Sequence, residues 1–269
     1  MRYEELHGCR LPKVGFGTWS IGGGTRADRN QDAASLAALR SALEMGYMHF
    51  DTAESYAAGH CEKLLGQAIR ESRADRTGLF LTSKVKPANL STQNVLRACE
   101  DTLRRLGAEY LDLYLIHWPN PRIDLAETFK GLNTLVKSGR ARHLGVSNFD
   151  LDLLTQARGL SETPVLTNQV PFSVAERSYS RNGVVDFCRA NDILVTAYSP
   201  FEQGRLQIAP GIAEVAQARS ATAHQVAIAW LCRQPGVITI PMSGDPRHQR
   251  ENLEAADIVL SASELELIG

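Results

Sequence analysis

Long apolar runs are missing from this 269-residue sequence: no stretch approaches the roughly 18 residues of a membrane-crossing helix. Residues Met1 to Arg10 also lack the apolar core of a secretory signal, so no signal peptide is expected. A surplus of charge is absent. The 29 Lys and Arg meet 30 Asp and Glu, and the net charge of −1 argues against bulk attraction to nucleic acid or an anionic membrane. Cysteine is sparse and unpatterned: Cys9, Cys61, Cys99, Cys188 and Cys232 are odd in number, scattered, and form no Cys-x-x-Cys. That disfavours a disulfide framework or a structural zinc site and fits free thiols in the cytoplasm. The glycine-rich phosphate turn of an open doubly wound sheet is missing too. Gly15 and Gly17 are followed by Ser20 where the third glycine belongs, and Gly22-Gly23-Gly24 does not restore the spacing.

What the sequence does have is regular alternation. After a segment suited to a hairpin (3–12), β-rich runs fall at 14–18, 49–53, 79–85, 111–118, 142–147, 165–170, 193–199 and 237–241. Helical patterns separate them at 32–45, 62–71, 92–106, 125–137, 151–157, 183–190, a longer region ending in 221–233, and 247–256, with a last helix at 261–268. Asn30 or Asp32 is suited to cap the first helix and Ser91 the third, while Gly46, Gly107 and Gly139 stand just past helix ends. Alternation of this kind implies parallel strands with right-handed crossovers, and the nearly continuous apolar strands imply cover on both faces. Eight units with no linker or low-complexity stretch predict one α/β domain over 1–269: a (β/α)8 TIM barrel with an N-terminal β-hairpin and a short C-terminal tail. The length slightly exceeds the typical barrel of about 250 residues.

Barrel chemistry gathers at the C-terminal ends of the strands, so the polar residues there are the site candidates. The second strand ends in Asp51, followed by Tyr56; the third carries Lys84; the fourth ends in His117-Trp118-Pro119. Ser147-Asn148, Asn168-Gln169 and Tyr198-Ser199 end the next three. Strand parity puts Leu111, Leu113 and Leu115 on the side of His117, and Phe80 and Thr82 on the side of Lys84, so that Asp51, Lys84 and His117 can share one mouth. A buried lysine and aspartate offset part of each other's desolvation. A lysine beside a phenol favours phenolate and is expected to lower its pKa from about 10. Such a tyrosine can give a proton to a carbonyl oxygen, or take one from an alcohol, while a neighbouring histidine orients the oxygen. Taken singly, Asp51 reads as a turn or capping residue, Lys84 as a snorkelling lysine and His117 as a core histidine. Jointly, their fall at consecutive strand ends argues for a site.

Several motifs carry a resemblance. Gly15-Phe16-Gly17-Thr18-Trp19, Phe50-Asp51-Thr52-Ala53-Glu54-Ser55-Tyr56, Ser83-Lys84-Val85 and Leu115-Ile116-His117-Trp118-Pro119 are similar to those of the aldo-keto reductases. So are Gly145-Val146-Ser147-Asn148-Phe149, Asn168-Gln169, Ala197-Tyr198-Ser199-Pro200 and Glu251-Asn252-Leu253, in the family's order over nearly the whole chain. The resemblance implies reversible reduction of small aldehydes and ketones with NADP(H) or NAD(H), a catalytic tetrad of Asp51, Tyr56, Lys84 and His117, and no metal. It implies that Ser147, Asn148 and Gln169 hold the nicotinamide carboxamide and Tyr198 stacks on the ring. Ser199, Phe201, Gln203 and Gly204 would line the pyrophosphate path, Glu251 and Asn252 would meet the adenine, and Gly17, Thr18, Trp19, Ile240 and Ser243 join the cofactor set. Trp19, Tyr56, His117 and Trp118 would contact the substrate.

Two departures from the family pattern matter. Ile240-Pro241-Met242-Ser243 has methionine where NADP-preferring members carry lysine, and His248 replaces an arginine, although Arg247 and Arg250 are near. Loss of two charge-assisted phosphate contacts should weaken discrimination for NADP and keep NAD(H) in play. The chain also ends at Gly269, which implies a short tail and an open pocket. The implied partner is a small carbonyl compound, with monomer as the default state. Two other readings stand beside this one. A zinc hydrolase on the same barrel would need further histidines at later strand ends; His7, His49, His60, His143 and His224 read as structural or exposed. A non-catalytic or slow, cofactor-binding redox sensor would keep the fold; the intact tetrad argues against lost chemistry, though not against slow chemistry.

Overall fold

The computed structural model describes residues 2–204 and 207–269, and of Gln203 the backbone only. Two short strands, β1 (Tyr3–Leu6) and β2 (Cys9–Pro12), pair antiparallel as a hairpin. Eight parallel strands follow: β3 (Phe16–Gly17), β4 (His49–Asp51), β5 (Phe80–Val85), β6 (Leu111–Ile116), β7 (Ala141–Ser147), β8 (Val165–Pro171), β9 (Leu194–Tyr198) and β10 (Val237–Thr239). Each pairs with its sequence neighbour. A parallel bridge from Val14 to Thr239 joins the last strand to the first, supported by Gly15 N donating to Thr239 O and Thr239 N to Lys13 O, both 2.8 Å. The sheet is therefore closed, as the eight-unit alternation predicts.

Around it lie α1 (Asp32–Glu44), α2 (His60–Glu71), α3 (Thr92–Leu106), α4 (Leu125–Lys137), α5 (Leu151–Leu160), α6 (Ser178–Arg181), α7 (Val184–Ala190), α8 (Pro210–Ala218), α9 (Ala223–Arg233), α10 (Pro246–Glu254) and α11 (Ala262–Ile268). Side chains at Asp124, Asp150, Thr222, Asp245 and Ser261 cap α4, α5, α9, α10 and α11. The start of α1 differs from expectation. Asp28 caps a preceding 3-10 turn by accepting from Asn30 N, and α1 begins after Gln31 with no side-chain cap. Ser91 holds the capping position of α3 without a side-chain bond to it. Gly46, Gly107 and Gly139 do take left-handed φ of 88°, 67° and 72°.

Two apolar layers make the core. Outward-facing Leu81, Tyr114, Ile116, Val146 and Val170 pack under the helices. Inward-facing Leu113, Leu115, Leu166, Leu194 and Ile238 fill the barrel, with Phe80 beside them, and Cys9 and Leu11 of the hairpin pack against the same cluster. Leu111, expected with the inner set, joins the outer layer instead, at the strand's first position. Close approach explains Gly66, where a Cβ would lie 2.2 Å from Leu106 O of the next helix pair.

His49, the first residue of β4, is a buried titratable group. It is 1% exposed, with Nε2 3.0 Å from Thr82 Oγ1, and burial pushes its pKa down from 6.5 to about 4. The unfolded chain thus takes up this proton at a higher pH than the folded chain. The stability His49 contributes is intact above pH 6.5 and is lost as pH falls towards about 4. Urea unfolding of His49→Gln should show an acid limb shallower by about one proton, a slope difference near 1.4 kcal/mol per pH unit. An unchanged limb would assign the acid sensitivity to other groups.

Candidate active site

Four elements place one polar cluster at the mouth of the barrel. Lys84, fifth residue of β5 and fully buried, donates from Nζ to Asp51 Oδ1 at 2.5 Å, to Thr52 O at 2.9 Å and to Tyr56 Oη at 3.1 Å. Asp51 is the last residue of β4; its other oxygen accepts from Gln169 Nε2 of β8 at 2.8 Å. Tyr56 opens a short turn whose next three residues, Ala57, Ala58 and Gly59, all have positive φ. That turn lets the chain reverse straight after the phenol, with Ala57 N anchored on Gly24 O at 2.7 Å. His117 follows β6, and its ring meets Tyr56 edge-on at 5.6 Å, while Trp19 also meets Tyr56 edge-on, at 5.1 Å.

Burial governs the protonation of these groups. It pushes the Tyr56 phenol above its ordinary value of 10, and Lys84 pulls the other way without prevailing. The expected net lowering of the phenol is therefore corrected: nearly complete desolvation of a phenolate outweighs one adjacent cation that is itself shared with Asp51. Burial alone would lower the Lys84 ammonium, but Asp51 and Tyr56 more than compensate and hold it above 10.5. His117 is pushed down to about 3 by burial and by the Lys84 charge, so its imidazole is neutral at ordinary pH.

The cluster opens into a cavity of about 810 Å³. Asp51, Tyr56 and His117 line it, with Lys84 beneath them. Trp19 and Trp118 stand at its edge, 40% and 48% exposed. Ser147, Asn148, Gln169, Tyr198, Ser199, Phe201 and Gly204 also line it, as do Gly17, Thr18, Ile240 and Met242. Gly17 is needed there because a Cβ would lie 2.5 Å from Ile240 O. The polar row is internally bonded. Tyr198 Oη donates to Asn148 Oδ1 at 2.9 Å, Asn148 Nδ2 to His117 O at 3.1 Å, and Ser147 Oγ to Gln169 O at 2.8 Å. Asn148 and Ser199 hold positive φ of 62° and 54°, which turns the backbone at these strand ends.

Four residues expected at the adenine end, Ser243, His248, Glu251 and Asn252, are not among the cavity walls. Ser243 lies three residues before the start of α10; of the three on that helix, His248 is exposed and Asn252 buried. Arg247 is tied to Asp245 through both its guanidinium and its backbone N–H. The side chain of Gln203 lies outside the described residues. Sequence reasoning missed Ser55, Pro87 and His224, which line the cavity. His224, read as structural or exposed, meets Phe201 edge-on at 4.7 Å. Among the described residues no cluster of three His, Cys, Asp or Glu is arranged to hold a metal. No helix there is long and apolar enough to cross a membrane.

A closed parallel barrel with a buried lysine–aspartate pair beneath a tyrosine and a neutral histidine defines a class in which one open mouth serves polar chemistry. The chain belongs to the aldo/keto reductase family, whose model matches residues 13–269, and it is an oxidoreductase of that family. It is 36% identical to the methylglyoxal reductase YeaE of Escherichia coli over 96% of this chain and 90% of that protein. It is 32% identical to a glyoxal reductase of Bacillus subtilis over 98% of this chain and 90% of that one. Among solved structures, a thermostable aldo-keto reductase in complex with the inhibitor epalrestat superposes with a TM-score of 0.95 at 42% identity, covering 100% of this chain and 98% of the other. An aldo-keto reductase of Klebsiella pneumoniae in complex with NADPH gives 0.89 at 36% identity, with 100% and 94% coverage.

The buried pair makes a direct prediction. Asp51→Ala leaves the Lys84 ammonium without its carboxylate and should cost about 3–5 kcal/mol in denaturant unfolding. The double variant Asp51→Ala/Lys84→Met should lose less than the two single losses added together, because no charge is left stranded. Additive losses would mean that the two residues act independently.

Proposed function

We propose that this chain reduces small aldehydes and ketones to alcohols, reversibly, with a nicotinamide cofactor and with Tyr56 as the general acid and base. The observation that carries the reading is the convergence of Tyr56, His117 and the buried Lys84–Asp51 pair on one cavity with a polar row opposite. The cavity suits the cofactor: the amides of Asn148 and Gln169 and the ring of Tyr198 offer partners for a carboxamide and an aromatic face. Methylglyoxal and glyoxal, which name the relatives, set the expected substrate size.

The nicotinamide, when bound, supplies or accepts the hydride at the carbonyl carbon. The protein's own residues handle the oxygen. Tyr56 donates its proton to the carbonyl oxygen, and Lys84 stabilises the phenolate left behind. Asp51 keeps Lys84 in place, so the cation sits beside the phenol in both protonation states. His117, being neutral, can hydrogen-bond the same oxygen without adding charge. Trp19 and Trp118 form apolar walls from which water is displaced when substrate enters. The five described cysteines are all free and buried, which supports a reducing compartment such as the cytoplasm. Residues 1–269 are read as one functional domain, because β3 to β10 form a single closed sheet.

NADP(H) is the first choice, since NADP and NADPH occur in the Klebsiella pneumoniae relatives. NAD(H) is close behind. Met242 lines the cavity and offers no charge, His248 is exposed, and Arg247 is engaged by Asp245. Ser243, Glu251 and Asn252 would serve the adenosine end from α10 and the residues before it.

Two measurements test these assignments. Tyr56→Phe should lower methylglyoxal turnover by about 10²–10⁴ while leaving NADPH affinity, read from tryptophan quenching, nearly unchanged. Turnover close to wild type would sink Tyr56 as the acid. Met242→Lys should raise the preference for NADPH over NADH by about tenfold, through one charge-assisted phosphate contact. An unchanged ratio would remove position 242 from the phosphate site.

A further inference from the structure

We propose that Ser55 is a positioning residue: its hydroxyl donates to Nδ1 of His117 and holds the imidazole as the Nε2–H tautomer, with that N–H available to the cavity. The inference rests on His117 being the carbonyl's partner in the proposed reduction. Ser55 Oγ lies 3.1 Å from His117 Nδ1, and both residues line the same cavity. A neutral imidazole has one N–H and one lone pair, so whichever nitrogen bonds Ser55 decides what the other presents.

Three observations favour Ser55 as donor. First, no other acceptor is within hydrogen-bond distance of its hydroxyl among the described residues, so donation to Nδ1 is the one bond that uses its proton inside the protein. Second, Nε2 bonds no protein atom there and is left for a ligand. A carbonyl oxygen accepts hydrogen bonds, and a bare Nε2 lone pair aimed at it would repel. Third, the backbone of both residues is already fixed. His117 N donates to Val85 O at 3.0 Å and its carbonyl accepts from Asn148. Ser55 sits in a turn fixed by Tyr56 N on Ala53 O and Ala58 N on Ser55 O, at 3.0 and 3.3 Å. The same turn therefore delivers the proton donor, Tyr56, and the residue that orients the second donor.

The other tautomer would have Nδ1–H donating to Ser55 and the cavity lined by a lone pair. The nearby Lys84 cation disfavours a doubly protonated ring, so protonation at both nitrogens does not evade the choice.

Ring ¹⁵N NMR of histidine-labelled protein, with His117 assigned by the signals lost in His117→Asn, reads the tautomer without cofactor. Wild type should show Nε2 protonated and Nδ1 accepting. Ser55→Ala should give a mixture of tautomers, and Ser55→Thr should restore the wild-type pattern. With methylglyoxal and NADPH, Ser55→Ala should lose about tenfold in kcat/KM while NADPH affinity holds, the scale of one hydrogen bond. An Nδ1–H tautomer in wild type, an unshifted tautomer in Ser55→Ala, or unchanged kcat/KM in that variant each overturns the proposal. Full turnover by Tyr56→Phe would instead overturn the reaction, and the NMR result separates the two failures.

Discussion

The buried contact between Lys84 and Asp51 is the constraint on which the rest of the site depends. Neither charge could be taken out of water alone; each is held because the other, and a set of hydrogen bonds, is already in place. Lys84 spends its three protons on Asp51, Thr52 and Tyr56, and Asp51 spends its second oxygen on Gln169. The last bond crosses the barrel. β4 and β8 are four strands apart in the sheet, and only closure brings an amide on one to a carboxylate on the other. The Val14–Thr239 bridge, remote from the chemistry in sequence, is thus part of what lets an ion pair exist at the mouth.

The same pair explains an apparent conflict in the phenol. A cation at 3.1 Å should make Tyr56 a better acid, yet burial holds its pKa above 10. In the proposed reaction the two facts describe different moments of one cycle. A neutral phenol is the form needed to give a proton to a carbonyl, so burial keeps it loaded. Once the proton has left, Lys84 is already positioned beside the negative oxygen, and no reorganisation is required of it. A phenol with a strongly lowered pKa would be ionised at rest and could only accept.

Much of this was legible in the sequence, and the reasons are specific. Parity along 80–84 and 113–117 put Phe80, Thr82 and Lys84 on one side and Leu113, Leu115 and His117 on another shared one, because a strand has only two faces. The hairpin, the closed topology and the three left-handed glycines after α1, α3 and α4 were equally readable. What was not readable depends on distances between chain segments. Ser55 looked like any residue between Glu54 and Tyr56; only the turn at 57–59 aims it at His117. The cap expected for α1 is absent, because a 3-10 turn capped by Asp28 leads directly into the helix, which composition does not encode. The sign of the Tyr56 shift needed the depth of burial, which no motif carries.

The cavity mouth and the start of α10, which lies outside the cavity walls, differ in how their polar groups are satisfied, and that difference bears on selectivity. At the reacting end nearly every donor and acceptor already has a protein partner, so the geometry is set before any ligand arrives. At the start of α10 the charges neutralise each other instead: Asp245 caps α10, holds Arg247, and has its own pKa pulled down to about 2 by those bonds. An arginine occupied in this way can reach a phosphate only by giving up a carboxylate, and that carboxylate would remain beside the incoming negative charge. If the proposed cofactor's adenosine lies against α10, a 2′-phosphate gains less there than at a site of free lysine and arginine. Under the proposed assignment, the residues that handle the proton and those that meet the cofactor's tail are separate, so reaction class and cofactor preference can change independently.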